Sequence, residues 1–340
     1  MNPMTSRQRM LAALQCEKPD RVPVFDWFTS NSRQGIIATL QIDNPDDEIE
    51  FAKAVGFDAI SYGDIQGKFM ATAFCKVLID ADGGEHLQSE GRIHSHDDLP
   101  KMKMPDVSDP SYFDDAKRYV DRYGDSDLAM FFMMRTGIMN TMYSLGFNDF
   151  CLKIFDDVKL IEAVLDIYSE WNLRVLEKAQ DIGFDFVFAC DDVAWNTGSI
   201  VSPQTFKEIF IPHLKKFAAA IKLPWVFHSC GDTSLLFDDL MTLGFNGYNP
   251  FQPPVMDIEA MHDQYGGKIC FWGNIDLTYT LSYGTTEEVE QEVKQRIAKL
   301  APDGGYILST ANSIIDSCKT ENILAMIDAA KKYGEYPISI

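Results

Sequence analysis

The stretch VFHSCGDT, residues 226–233, sets an imidazole and a thiol two positions apart at the end of the apolar run 224–227. In an extended chain, side chains two apart share a face. A neutral imidazole and a thiolate on one face are donors that Zn²⁺ takes, at about 2.0–2.3 Å. A catalytic zinc needs a third protein ligand as well as an open position. His228 and Cys230 would therefore be half of a metal site, or else only residues at a strand end. Two residues supply candidate third ligands: Cys318, in the loop after the last apolar run, and Asp192, through a carboxylate oxygen. Cys190 ends a run of its own, and Cys270 lies in mid-run, where a lone cysteine usually packs.

Asp191-Asp192 is a second constellation. Two adjacent carboxylates at a strand end can take a proton, bind a polar substrate or complete a metal shell. We expect both to be catalytic. The segment after them, DDVAWNTGSIVSP, is a long loop whose Trp195 is suited to covering a planar or apolar ligand. Asp64, Asn249 and Asn312 follow other apolar runs and are expected to contact substrate. Asp26, Arg135, Asn274 and Asp276 hold comparable positions.

Something must bring these residues to one place. Short apolar runs recur at 22–28, 57–62, 129–134, 184–190, 225–227, 244–248, 269–272 and 306–308. Near-continuous apolar runs suit strands buried on both faces, as in parallel sheets. Helical patterns separate them, at 156–181, 203–221, 232–243, 256–265, 285–300 and 320–333. Ser202-Pro203 is an N-cap followed by a first-turn proline, and TTEEVEQEV at 285–293 opens with a capping-box pattern. A strand followed by a helix, eight times, is the pattern of a (β/α)8 TIM barrel, whose chemistry sits at the C-terminal strand ends. An open doubly wound sheet would want an early glycine-rich phosphate turn, and neither GxGxxG nor GxxxxGK[ST] is present. We expect one domain, 1–340. Residues 65–128 form an insertion and connector after the second strand, with a hairpin about Gly83-Gly84.

Composition narrows the function classes. The 340 residues are 46% hydrophobic and carry a formal net charge of −21, so nucleic acid and anionic membranes are poor partners. There is no apolar run of spanning length, and the N-terminus is too charged for a secretory signal. The seven cysteines are scattered without a CxxC pair, which points to a reducing cytoplasm.

The sequence also resembles a known family. SRQRMLAALQCEKPDRVPV, FHSCGDT, FWGNID, YGTTEEVEQEV and GGYILSTANSIIDSCKTENILAMIDAAKKYG are similar to segments of the uroporphyrinogen decarboxylase superfamily. The resemblance implies a (β/α)8 barrel. True decarboxylases of the family carry an MRQAGR-like segment, of which FDWFTSNSRQG keeps only Arg33, and a late histidine where this chain has Asn312. The chain is closer to the corrinoid-dependent methyltransferases, whose HxCG zinc residues correspond to His228 and Cys230. Their third ligand, a cysteine, falls at Asn312, so Cys318 or Asp192 would replace it. This implies a zinc-assisted methyl transfer between a small methyl ether, methylamine or thiol and a corrinoid. The corrinoid would ride on a separate protein, because no DxHxxG motif is present. The alternatives are a metal-free decarboxylase, with Asp64 stabilising a protonated pyrrole-like intermediate, and a non-catalytic binding barrel.

Overall fold

The computed structural model describes residues 3–67, 74–79 and 85–340, and only the backbone at 76–79 and 85–89. Among these the strands are, in chain order, β1 (Ala59–Asp64), β2 (Cys75–Ile79), β3 (Glu85–Gly91), β4 (Ala129–Met134), β5 (Phe186–Cys190), β6 (Ala194–Trp195), β7 (Gly198–Ser199), β8 (Trp225–His228), β9 (Gly247–Asn249), β10 (Cys270–Ile275) and β11 (Tyr306–Thr310). Seven of them form one curled parallel sheet in the order β1-β4-β5-β8-β9-β10-β11. β2 and β3 pair antiparallel beside it, and the expected turn at Gly83-Gly84 lies outside the described residues.

The run at 22–28, expected as the first of eight strands, is not a regular strand. It touches β11 through an isolated bridge between Val24 and Leu308, and Asp58 N–H donates to the Val24 carbonyl on its other side at 2.8 Å. Side chains take the N–H groups that a ladder would use. The Asp58 carboxylate accepts from Val24 N, Asp26 accepts from Trp27 N, and Pro23 has no N–H. The run thus lies between β11 and β1 without joining a ladder.

Among the described residues, helix follows the sheet strands β4, β5, β8, β9, β10 and β11, while the β2–β3 pair follows β1. The longest helix is Val158–Ala179, which buries Ile161, Val164, Leu165 and Tyr168 on one stripe. The helix Thr286–Leu300 starts with the expected capping box of Thr285 and Glu288. The segment expected as one helix at 203–221 contains a π-turn at Phe206–Phe210. Pro212 cannot donate to the carbonyl of Glu208, which breaks the regular spacing there. No helix of the described residues is long and apolar enough to cross a membrane.

Inside the sheet, aromatic rings fill the space beneath the C-terminal rim. Phe131 stacks on Phe186 at 4.6 Å, Trp27 meets Phe188 at 4.9 Å, and Trp272 lies parallel to Trp27 at 6.0 Å. These rings make the floor on which the rim residues stand. At the opposite end a buried ionic cluster holds the N-terminal helix Ser6–Leu14. Asp58 is fully buried and accepts from Arg9 at 2.6 Å, Arg21 at 2.8 Å and Ser6 at 2.7 Å. Removing one partner of such a cluster leaves the others buried and unpaired. Asp58→Ala should lower unfolding stability by about 3–5 kcal/mol, read from urea midpoints. A midpoint equal to wild type would show that the cluster contributes nothing.

A candidate metal centre at the strand ends

The register of the parallel strands sets the site. Cys190 pairs with His228, and His228 with Asn249, so the ends of β5, β8 and β9 stand in one row. His228 faces the interior, its ring 5.5 Å from that of Phe188. Its Nδ1 lies 2.5 Å from Asn249 Oδ1, while Asn249 Nδ2 donates to the Trp272 carbonyl at 2.9 Å. The second bond identifies which amide atom is nitrogen. Oδ1 can only accept, so Nδ1 carries a proton, and in a neutral imidazole the lone pair belongs to Nε2.

That lone pair points at a donor set. Cys230 Sγ is 3.5 Å from His228 Nε2, and Asp192 Oδ1 is 3.7 Å from it. Asp192 Oδ1 also accepts from Cys230 N–H at 2.9 Å. The ligand atoms of Asp192, His228 and Cys230 all lie within 4.8 Å of one another. Around a tetrahedral ion with bonds of about 2.0–2.3 Å, ligand atoms stand about 3.3–3.8 Å apart. The three donors suit zinc in kind, and the two measured from His228 Nε2 stand at that spacing, with Asn249 as the outer partner that orients the histidine.

Asn312 faces the same cluster from beyond β11. Its Nδ2 donates to Cys230 Sγ at 2.9 Å, and its Oδ1 accepts from Ser313 N at 2.7 Å. Burial, and next the Asp192 carboxylate, push the Cys230 thiol up to about 12 despite the Asn312 donor. Gly231 has φ +86, and a Cβ there would meet the Ala194 carbonyl oxygen at 2.6 Å. Only glycine lets the β6–β7 ladder close against the Cys230 loop. Trp195 on that ladder is 48% exposed, with its ring 5.7 Å from Phe147.

Across the mouth stand Asp64 and Arg135. Burial pushes the Asp64 carboxyl up to about 6, against the Gln66 N–H at 2.9 Å and Arg135, whose Nε is 4.0 Å away.

Residues 48–333 match the family model of uroporphyrinogen decarboxylase (URO-D). The chain belongs to this family. Among curated relatives it is 28% identical to the methylcobamide:CoM methyltransferase MtaA of Methanosarcina barkeri, over 51% of this chain and 49% of that protein. It is 25% identical to a methylated-thiol–coenzyme M methyltransferase of Methanosarcina mazei, over 52% and 46%. It is 21% identical to a uroporphyrinogen decarboxylase of Vesicomyosocius okutanii, over 54% and 52%. The chain spans about half the length of the curated relatives it matches. Among solved structures, a methyltransferase from Methanosarcina mazei superposes with TM-score 0.76 at 20% identity, covering 97% of this chain and 99% of that one.

Three expected site residues of this URO-D family chain stand elsewhere than expected. Cys318 is outside the cluster. Ile314 bonds to Trp27 and bridges Phe28, which draws the loop away from β8, and the Cys318 thiol is buried 3.9 Å from Ser282 Oγ. Asp191 is not free for catalysis. It is fully buried and accepts the N–H groups of Thr136, Gly137, Ile138 and Met139 and the Thr136 hydroxyl. Its carboxylate caps the helix Ile138–Leu145 and clamps the chain that leads out of β4. Asn249 is buried behind the imidazole with both amide atoms engaged, so it serves His228 instead of substrate. Arg33 stacks on Phe51 and donates to the Pro45 carbonyl. Arg135, noted among the run ends but given no role there, is the one cation among them, and that sign was readable in the sequence.

The raised Asp64 carboxyl has a consequence for stability. The folded chain holds this proton more tightly than an unfolded one, so stability from Asp64 falls as pH rises from about 4 through 6. Relative to wild type, Asp64→Asn should gain stability between about pH 4.5 and pH 7, read from urea midpoints at each pH. A difference that does not change with pH would overturn the assignment.

Proposed function

We propose that this chain is a methyltransferase that moves a methyl group between a small substrate and a corrinoid carried on a separate protein, with zinc held by Asp192, His228 and Cys230. The observation that carries this reading is the converging donor set, with Asn249 bound to His228 Nδ1 so that Nε2 is the nitrogen turned to the cluster. The methyltransferase relatives point to the same chemistry. In this reading the run at 22–28 completes an eight-element barrel whose rim carries the site, and a reducing cytoplasm suits the free thiols.

When bound, zinc would act as a Lewis acid that lowers the pKa of a substrate thiol. The chain's residues do the rest. Asn249 holds the imidazole in the tautomer that can ligate. Asp192 spans the Cys230 N–H and the open side of the imidazole. Asn312 donates to Cys230 Sγ and so tempers the charge on that sulfur. The aromatic floor keeps water from below. Forming the new S–CH3 bond leaves the electron pair of the broken bond on the donor, so no external oxidant or reductant is needed.

The alternative of a metal-free decarboxylase of carboxylate-rich tetrapyrroles keeps Asp64 at the mouth. It lacks an arginine pair after the run at 22–28, since Arg33 is turned onto Phe51.

Elemental analysis together with methyl transfer from methylcobalamin to a thiol tests the proposal. Wild type should hold about one zinc per chain, and His228→Ala and Cys230→Ala should lose metal and transfer together. Full transfer by metal-free protein would overturn the reading. Asn312→Cys supplies a second thiolate beside Cys230 and should tighten zinc by about tenfold or more in chelator competition. Weaker zinc binding in Asn312→Cys would place residue 312 outside the metal's reach.

A further inference from the structure

One short segment serves both halves of the imidazole–thiol pair. It begins at Asn249, whose amide holds His228 Nδ1. Three residues on, Gln252 reaches toward the thiol. Its Oε1 accepts from the N–H of Gly231, the residue after Cys230, at 2.9 Å. A backbone N–H can only donate, so this bond fixes which amide atom is oxygen. Nε2 is then the atom that faces Asn196, to whose Oδ1 it donates at 3.3 Å. Asn196 lies in the turn between β6 and β7, beside Trp195. Gln252 therefore stands between the Cys230 loop and the hairpin packed against that loop.

The loop hangs from three successive N–H groups. Cys230 N donates to Asp192 Oδ1 at 2.9 Å, Gly231 N to Gln252 Oε1, and Asp232 N to the Trp195 carbonyl at 2.9 Å. The first acceptor belongs to the donor set and the third is backbone. Of the three, Gln252 is the one side chain from outside the donor set. The chain takes an uncommon course to bring it there. Phe251 has φ +52, in the left-handed region that a bulky residue rarely enters. Its ring is fully buried and lies flat on Phe271, centroids 3.9 Å apart and 3° from parallel. Burial and stacking hold the strained backbone, and Met256 N–H donates to the Gln252 carbonyl at 3.0 Å. Strain of this kind collects where a side chain needs a fixed placement.

We propose that Gln252 is a positioning residue for Cys230. Through Gly231 N–H it sets where the Cys230 sulfur stands relative to His228 Nε2, and through Asn196 it ties that placement to the Trp195 hairpin. The metal side of the proposal rests on the zinc reading, while the placement of the thiol rests on the contacts alone. Gln252 touches neither metal nor substrate, and no covalent bond to it forms or breaks. Coupling of this kind is reciprocal, so a seated hairpin favours bound metal as much as metal favours a seated hairpin.

Three variants of the full-length protein separate the two arms. Gln252→Leu loses both bonds. It should weaken zinc about tenfold or more in chelator competition, and its cobalt(II)-loaded form should show weaker sulfur-to-metal charge-transfer absorption. Gln252→Glu keeps an acceptor for Gly231 and loses the donor to Asn196, so it should hold zinc within a few-fold of wild type. Asn196→Ala frees the Gln252 amide at one end only and should weaken zinc less than Gln252→Leu. Acrylamide quenching reads the hairpin, because Trp195 is the exposed member of the five tryptophans, and Trp171, Trp225 and Trp272 are buried. Quenching of the zinc-loaded protein should rise in all three variants. The proposal is overturned if Gln252→Leu binds zinc like wild type, if Gln252→Glu weakens zinc as much as Gln252→Leu, or if quenching is the same in all four proteins. A wild type that takes up neither zinc nor cobalt retires the zinc reading, and the thiol then decides the positioning role on its own. In metal-free protein, iodoacetamide should modify Cys230 several-fold faster in Gln252→Leu than in wild type, followed by mass spectrometry of the Cys230 peptide. An equal rate overturns the positioning role whether or not metal binds.

Discussion

The site depends on parallel register. Cys190, His228 and Asn249 belong to three strands, yet the ladder sets them in one row, and every other feature of the centre is built on that row. A shift of one residue in β9 would take Asn249 from behind the imidazole and turn it to the other face. His228 would then lose the acceptor that fixes its tautomer. Register is held by burial on both sides of the sheet. The interior aromatic rings interlock on one side and helices cover the other, so a slipped strand would expose apolar surface at both.

Carboxylates divide the labour according to what surrounds them. Asp58 is buried with two arginines and joins the N-terminal helix to the strand floor. Asp191 is buried among backbone N–H groups and shapes the loop after β4. Asp192, next in sequence, emerges at the rim and faces the histidine. Asp64 is half-buried and poorly neutralised, which is why its proton is held to about 6. The same side chain is thus a structural tie, a helix cap, a candidate ligand or a titrating group, depending on the donors within reach.

Much of this was legible in the residues. The apolar runs at 129–134, 184–190, 225–227, 269–272 and 306–308 coincide with sheet strands, because strands buried on both faces need little beyond composition to be recognised. The helix Thr320–Tyr333 and the Thr285 capping box were equally plain. The run at 22–28 was not, since its side-chain bonds to Asp58 and Asp26 replace a ladder and arise from residues far away in sequence or from local turns. Cys318 looked adequate by distance along the chain. The bridge from Ile314 to Phe28 that carries it aside cannot be read from six residues of loop.

By itself, the sequence determined the inventory: an imidazole and a thiol two residues apart at a strand end, paired aspartates, an asparagine at position 312, one arginine among the run ends, and an alternation of strand and helix that sends them to a common rim. These follow from local periodicity, which the chain carries in every short window. The tertiary structure decided the assignments. It set half-buried Asp192, not Asp191, beside the imidazole, made Asn249 the partner of His228, placed Cys318 outside the cluster, and gave the Arg135 guanidinium few partners among the described residues. Each of those outcomes depends on which groups from distant segments satisfy a buried donor or acceptor first, and that competition exists only once the strands are in register.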